Sequence, residues 1–217
     1  NDGNLEIYAV TNDWFDEPGL DYIPRLYKYE KDADGIWQIV WSTRLALNAQ
    51  NTWPALAVAD LDKDGKGEIV WGPVNNFAGG ANPERIVVYE IQAEGSDVMG
   101  VPSNDPIAGD YYRPNAQWKI ASGDNQNLRP FRWHIQDVDG DNVDEIVASA
   151  RVGDGIQIYS VDDVPDAADS TETWKLEFSG ITGTFYDIAI LNGTIYGIRD
   201  NGDVYAVKSA EADSFFV

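Results

Sequence analysis

Apolar and polar residues alternate with a period of two along most of the chain, and no stretch reads as a helix. The alternation is cleanest in "RLYKYE" (Arg25 to Glu30), "RIVVYE" (Arg85 to Glu90) and "GIQIYS" (Gly155 to Ser160). A Trp-bearing alternating run follows each of them: "IWQIVWS" (Ile36 to Ser42), "QWKIAS" (Gln117 to Ser122) and "TWKLEFS" (Thr173 to Ser179). Ahead of the second and third sets stand "ALAVADLDKDGKGEIVWG" (Ala55 to Gly72) and "RWHIQDVDGDNVDEIVAS" (Arg132 to Ser149). Each of these is a strand, an acidic loop and a second strand beginning Glu-Ile-Val. The tail carries Asn-Gly at Asn192-Gly193 and Asn201-Gly202 between alternating runs, a strong short hairpin signal.

The pattern is therefore a repeated unit of four strands. The opening "NDGNLEIYAV" aligns with "KDGKGEIVWG", placing Asp2 on Asp64 and Glu6 on Glu68. The chain is thus expected to begin inside a further copy of the acidic loop, with that copy's first strand upstream. Repeated four-stranded units predict an all-β fold of β-propeller blades. About four blades are expected, the first lacking its inner strand, at approximately 1–48, 49–125, 126–180 and 181–217. They would form the C-terminal part of a larger propeller, or a piece completed by another chain. In the last blade the acidic loop has shrunk to the Asn192-Gly193 turn.

The acidic loops carry the candidate chemistry. One holds Asp60, Asp62, Asp64 and Glu68 with the carbonyl of Lys66, the other Asp137, Asp139, Asp141 and Glu145 with the carbonyl of Val143. Spacing of two in a curled loop turns successive side chains onto one centre. Several hard oxygens at one point suit Ca2+, which takes about six to eight oxygens in flexible geometry. Without a cation the clustered carboxylates would repel one another, and some would stay protonated. An EF-hand does not fit, because its Glu stands at the twelfth position and enters a helix. The twelfth residues here are Trp71 and Ala148, and Glu68 and Glu145 open strands.

With their preceding apolar strands, "DLDKDGKGEIV" and "DVDGDNVDEIV" resemble the calcium loops of FG-GAP (VCBS-type) repeats, the blades of integrin-like β-propellers. The resemblance implies a loop between a blade's first two strands, braced by the cation. Carried over, it gives ligand roles to the eight carboxylates above and makes Asp2 and Glu6 the ligands that remain at a truncated third site. The family's Phe-Gly and Gly-Ala-Pro signatures are poorly kept, "WGPV" being the nearest, which argues against an integrin head.

Composition narrows the function classes. The 217 residues carry 37 acidic against 15 basic side chains, a net charge of -22. Such a surface repels nucleic acid and anionic lipid. Cysteine is absent, and His134 is the single histidine, which removes thiolate sites and most triad or metal-enzyme chemistry. No apolar run reaches the roughly 18 residues of a membrane span. His134, with Arg132 and Gln136, replaces the alanines Ala55, Ala57 and Ala59 of the equivalent strand, so this trio either lines a central channel or packs between blades. Trp37, Trp118 and Trp174 recur at one place of the repeat and are read as packing residues. Trp14, Phe15 and Tyr22 lie in one insertion; others run from Gly72 to Glu84 and from Ala93 to Ala116, the last holding Tyr111, Tyr112 and Arg113, residue types common at interfaces. Asp166 lies in an acidic stretch outside the loop frame, and Asn192-Gly193-Thr194 fits a glycosylation sequon inside a tight turn.

The expectation is a non-catalytic, calcium-braced propeller of an extracellular or cell-surface protein, acting as scaffold, adhesion or protein-interaction module. Its partners would be other protein chains or the rest of the same protein, with carbohydrate as a further possibility. The alternative is part of a calcium-dependent polysaccharide lyase or another carbohydrate-active propeller, for which Arg132, His134 and Lys119 are the candidate cationic groups.

Overall fold

A computed structural model describes residues 4–11, 24–45, 55–73, 84–105, 109–119, 130–151, 153–167 and 171–217. Within them every regular element is a strand, and every pairing is antiparallel. Sheet one holds β1 (Ile7–Val10), β2 (Arg25–Lys31) and β3 (Trp37–Arg44). Sheet two holds β4 (Ala55–Ala59), β5 (Glu68–Gly72) and β6 (Glu84–Glu90). A separate hairpin of β7 (Val101–Asp105) and β8 (Gly109–Arg113) then leads to its fourth strand, β9 (Ala116–Lys119). Sheet three is β10 (Pro130–Gln136), β11 (Glu145–Ala150), β12 (Asp154–Val161) and β13 (Trp174–Thr182). Sheet four is β14 (Phe185–Leu191), β15 (Thr194–Arg199), β16 (Val204–Glu211) and β17 (Ser214–Phe216).

Each sheet buries its faces against its neighbours in chain order. Leu26 and Trp41 of sheet one meet Ile69, Trp71 and Tyr89 of sheet two. The other side of sheet two, through Val70, Ile86 and Val88, meets Trp133, Ile146 and Tyr159 of sheet three. Val147, Ile156 and Ile158 on the far side of sheet three meet Phe185, Ile195 and Val207 of sheet four. This explains why β5 and β11 are apolar at successive positions rather than alternately: both of their faces are covered. Gly72 and Gly155 permit the close approach, since a Cβ at either would collide with the ring of Trp133 or Phe185 in the next sheet. The first strands β4, β10 and β14 stand side by side along one edge of the stack. In sheet one, β1 pairs only with β2 among the described residues. Among the described residues, no buried core cluster joins sheets one and four.

The Trp-bearing strands depart from the expected equivalence. Trp37 stands opposite Lys31 and Trp174 opposite Val161, but Trp118 stands opposite Ile86, near the other end of its strand pair. The β7–β8 hairpin takes up the chain after β6, so β9 rejoins the sheet at its far end. Trp118 and Trp174 pack in the core between sheets two and three, while Trp37 is 36% exposed under the ammonium of Lys31. Asn192 and Gly193 both take positive φ in the β14–β15 hairpin, the geometry that such a tight turn requires.

Candidate metal centre

The two acidic loops connect β4 to β5 and β10 to β11, and their backbones are matched. The fourth and sixth positions are left-handed in both: Lys63 (φ 61°) and Gly65 (φ 91°) in one, Gly140 (φ 88°) and Asn142 (φ 73°) in the other. Their hydrogen bonds match as well. Asp64 N–H donates to Asp62 Oδ1 (3.2 Å), and Asp141 N–H to Asp139 Oδ1 (3.1 Å). Lys66 N–H donates to Asp64 Oδ1 and Val143 N–H to Asp141 Oδ1, each at 2.7 Å. Asp60 and Asp137 accept from the N–H of Gly65 (3.4 Å) and Asn142 (3.1 Å) respectively. Local carboxylate-to-backbone bonds of this kind are what hold Asp-rich turns in shape. The consequence is convergence: oxygens of Asp60, Asp62, Asp64 and Glu68 lie within 4.8 Å of one another, as do those of Asp137, Asp139, Asp141 and Glu145.

The glutamates supply the sharper observation. Glu68 and Glu145 are 0% exposed. One oxygen of each accepts a loop N–H, from Leu61 at 2.5 Å and from Val138 at 2.7 Å. The other oxygen, Oε1, is buried with no hydrogen-bond partner in either loop. Burial pushes both carboxyls up to about 8; the loop N–H pulls the other way, and the neighbouring aspartates add to the rise. A buried carboxylate oxygen left without a donor costs stability unless a proton or a cation meets it. An all-oxygen donor set with spare lone pairs fits Ca2+ and would hold it through these carboxylates.

The surroundings of Glu6, expected to belong to a third acidic loop, are arranged differently. Asp2 lies outside the described residues, and Glu6 receives the Tyr8 hydroxyl (2.5 Å) and the Lys28 ammonium (2.7 Å). Lys28 is 1% exposed and also meets Glu30 (3.4 Å) and Asp97 (3.0 Å). Burial works against its charge, yet Glu6 and Asp97 hold its pKa above the ordinary value.

Sequence reasoning missed a second layer built on the same loops. Asp97 belongs to the connection after the third strand of sheet two, and it pairs with a lysine of sheet one. The same connection in sheet three presents Asp166 to Lys66 of sheet two, and in sheet four Asp213 to Lys175 of sheet three. So each seam between sheets has a lysine–aspartate link of this kind beside an acidic cluster, and the seam between sheets two and three has a further one, Lys63 on Asp144 (3.3 Å). Asp166 lies outside the loop frame in sequence yet belongs to the loop's surroundings in space, since the Lys66 that it meets also reaches Asp64 (3.0 Å) and Glu90 (3.3 Å). The loops themselves cross the seams. Asp62 Oδ2 accepts the N–H of Val164 (2.9 Å) and Asp139 Oδ2 that of Asp213 (2.5 Å), both in the following sheet's third-to-fourth connection. No sequence signal marks these links, because the lysines come from unlike places in the repeat.

The other singled-out residues are placed as follows. Arg132 Nε lies 3.4 Å from Asp187 and His134 Nε2 3.8 Å from it, on neighbouring first strands β10 and β14. The side chain of Lys119 and the insertion with Trp14, Phe15 and Tyr22 lie outside the described residues. Tyr112 packs on Trp41, and its backbone N–H and carbonyl both bond the Thr43 hydroxyl, which pins the β7–β8 hairpin to sheet one. No family model, curated protein or solved structure matches the chain.

Proposed function

We propose that the chain is a run of calcium-braced β-propeller blades of the FG-GAP (VCBS) kind, serving as a non-catalytic scaffold, adhesion or interaction module of an extracellular or cell-surface protein. The observation that carries this reading is the pair of matched loops, each gathering three aspartates around a fully buried glutamate, one oxygen of which lacks a donor. Extracellular calcium would keep such sites filled, whereas cytosolic levels would leave weak ones empty. The stacking of sheets in chain order, with first strands along one edge, supports the propeller reading. The lyase alternative draws less support, because Asp187 already neutralises Arg132 and faces His134.

Metal binding is the part to test first. A cation that binds only the folded state stabilises it by about 2.7 kcal/mol per site at a hundredfold excess over Kd. Chelation should therefore lower the melting temperature well beyond the effect of matched ionic strength, and elemental analysis should return two calcium ions per chain. Asp139→Ala should abolish one of the two. Unchanged melting on chelation, with no bound calcium, would leave these loops as acidic turns and remove the basis of the proposal.

A further inference from the structure

The stack ends in two unlike faces, and they are complementary. Sheets two and three each turn one face toward the sheet before and one toward the sheet after. On the leading face, Ile69 and Tyr89 of sheet two and Ile146 and Tyr159 of sheet three are 0% exposed, covered by the preceding sheet. Register places Ile7 and Tyr29 at the same positions of sheet one, with Ile39 beside Tyr29. There Ile7 is 45% and Ile39 55% exposed. On the trailing face, Val147 and Ile156 of sheet three are 0% exposed beneath sheet four. Their counterparts in sheet four, Tyr196 and Val204, are 40% and 65% exposed, with Ile198 at 60% beside them.

The seam charges follow the same logic. The third-to-fourth connections of sheets two, three and four each give an aspartate to a lysine of the sheet before. Sheet one has such a connection too, the turn between β2 and β3, where Asp32 is consumed by the turn itself and Asp34 is exposed. On the trailing side, Lys208 of β16 follows Val207, which stands opposite Ile195 as Tyr89 stands opposite Ile69, so Lys208 takes the seam position of Glu90. Neither Asp34 nor Lys208 forms an ion pair among the described residues. One end thus offers an apolar trailing face with a lysine at its rim, the other an apolar leading face with an aspartate at its rim.

We propose that a second copy of this chain docks head to tail, the outward face of sheet four receiving the outward face of sheet one, with Lys208 of one copy on Asp34 of the other. The new seam would repeat the three inside the chain, and it does not depend on metal in the loops. A head-to-tail contact closes into a ring if the rotation permits, and two copies would then form a ring of eight sheets; otherwise it extends as a filament.

Sedimentation velocity of the intact chain across a micromolar range, with calcium and again with chelator, tests this. Dimers or longer assemblies are expected in both. Val204→Glu should disperse them, and Lys208→Glu should weaken association by about tenfold or more, since like charges facing each other cost more than a lost pair. Combining Lys208→Glu with Asp34→Lys in one chain should restore it. All the substituted residues are exposed, and circular dichroism would show that the fold survives. A monomer at every concentration, or assembly indifferent to Val204→Glu and to both charge changes, would overturn the proposal. Assembly that withstands chelation in a chain that binds no calcium would uphold it while the metal reading failed.

Discussion

Lys63 and Asn142 sit in left-handed backbone where glycine is the easy choice, and their loops place glycine at the other left-handed position, Gly65 and Gly140. A non-glycine residue in that region costs about 1–2 kcal/mol, less for Asn, so the conformation is imposed by the surrounding bonds rather than by the residue itself. What those bonds serve is the buried carboxyl at the loop's end. With chelator present, Glu68 and Glu145 hold their protons up to about pH 8 in the folded chain, against an ordinary value of 4.5 once unfolded. Between these values the folded state binds more protons, so stability is full below the lower one and falls as pH rises toward the upper. Calcium takes the place of the protons and should flatten that slope. The rise in melting temperature on adding calcium should accordingly be larger near pH 8 than near pH 5. Equal rises at the two pH values would show that these carboxyls do not titrate with the site.

At the level of strands and sheets, the seam links are worth separating by burial. Lys66–Asp166 and Lys175–Asp213 reach solvent, so water and salt screen them and each adds little to stability. Lys28 is different: it is enclosed between sheets one and two by Glu6, Glu30 and Asp97. Lys28→Met would leave those carboxylates facing one another without a cation and should cost about 3–5 kcal/mol in urea denaturation. A cost below about 1 kcal/mol would mean that the carboxylates rehydrate or take up protons at no penalty. The strands themselves were legible in the sequence, since period-two alternation and the Glu-Ile-Val runs record which faces are covered. So was the convergence of Asp60, Asp62, Asp64 and Glu68, a local matter of spacing. The β7–β8 hairpin was not: "VPSND" carries a proline and weak alternation, and the hairpin is held against sheet one by Tyr112 and Thr43 across sixty-nine positions of chain. The place of Trp118 followed from that hairpin, and the role of Asp166 from a sheet that only tertiary packing brings to Lys66.

For the whole molecule the dominant quantity is the net charge of -22. Acidic groups crowd the rim of the stack, at the loops and at the connections that meet them, so self-repulsion acts across the seams as well as within the loops. Salt screens exposed charges over about 10 Å at 0.1 M. Raising sodium chloride in the presence of chelator should therefore raise the melting temperature, and calcium at equal ionic strength should raise it further. A melting temperature indifferent to sodium chloride would place the repulsion inside the buried clusters, out of reach of screening. The seam lysines also bear on how such a chain can change over time. Lys28 comes from β2, Lys66 from the β4–β5 loop and Lys175 from β13, yet each meets the corresponding aspartate of the sheet that follows. What is preserved is the junction between neighbours, not the text of a repeat. Moving one repeat to a new place would break two junctions at once, whereas exchanging a block that keeps both partners of each junction would leave them whole. By that measure the smallest block that could be exchanged intact spans two sheets.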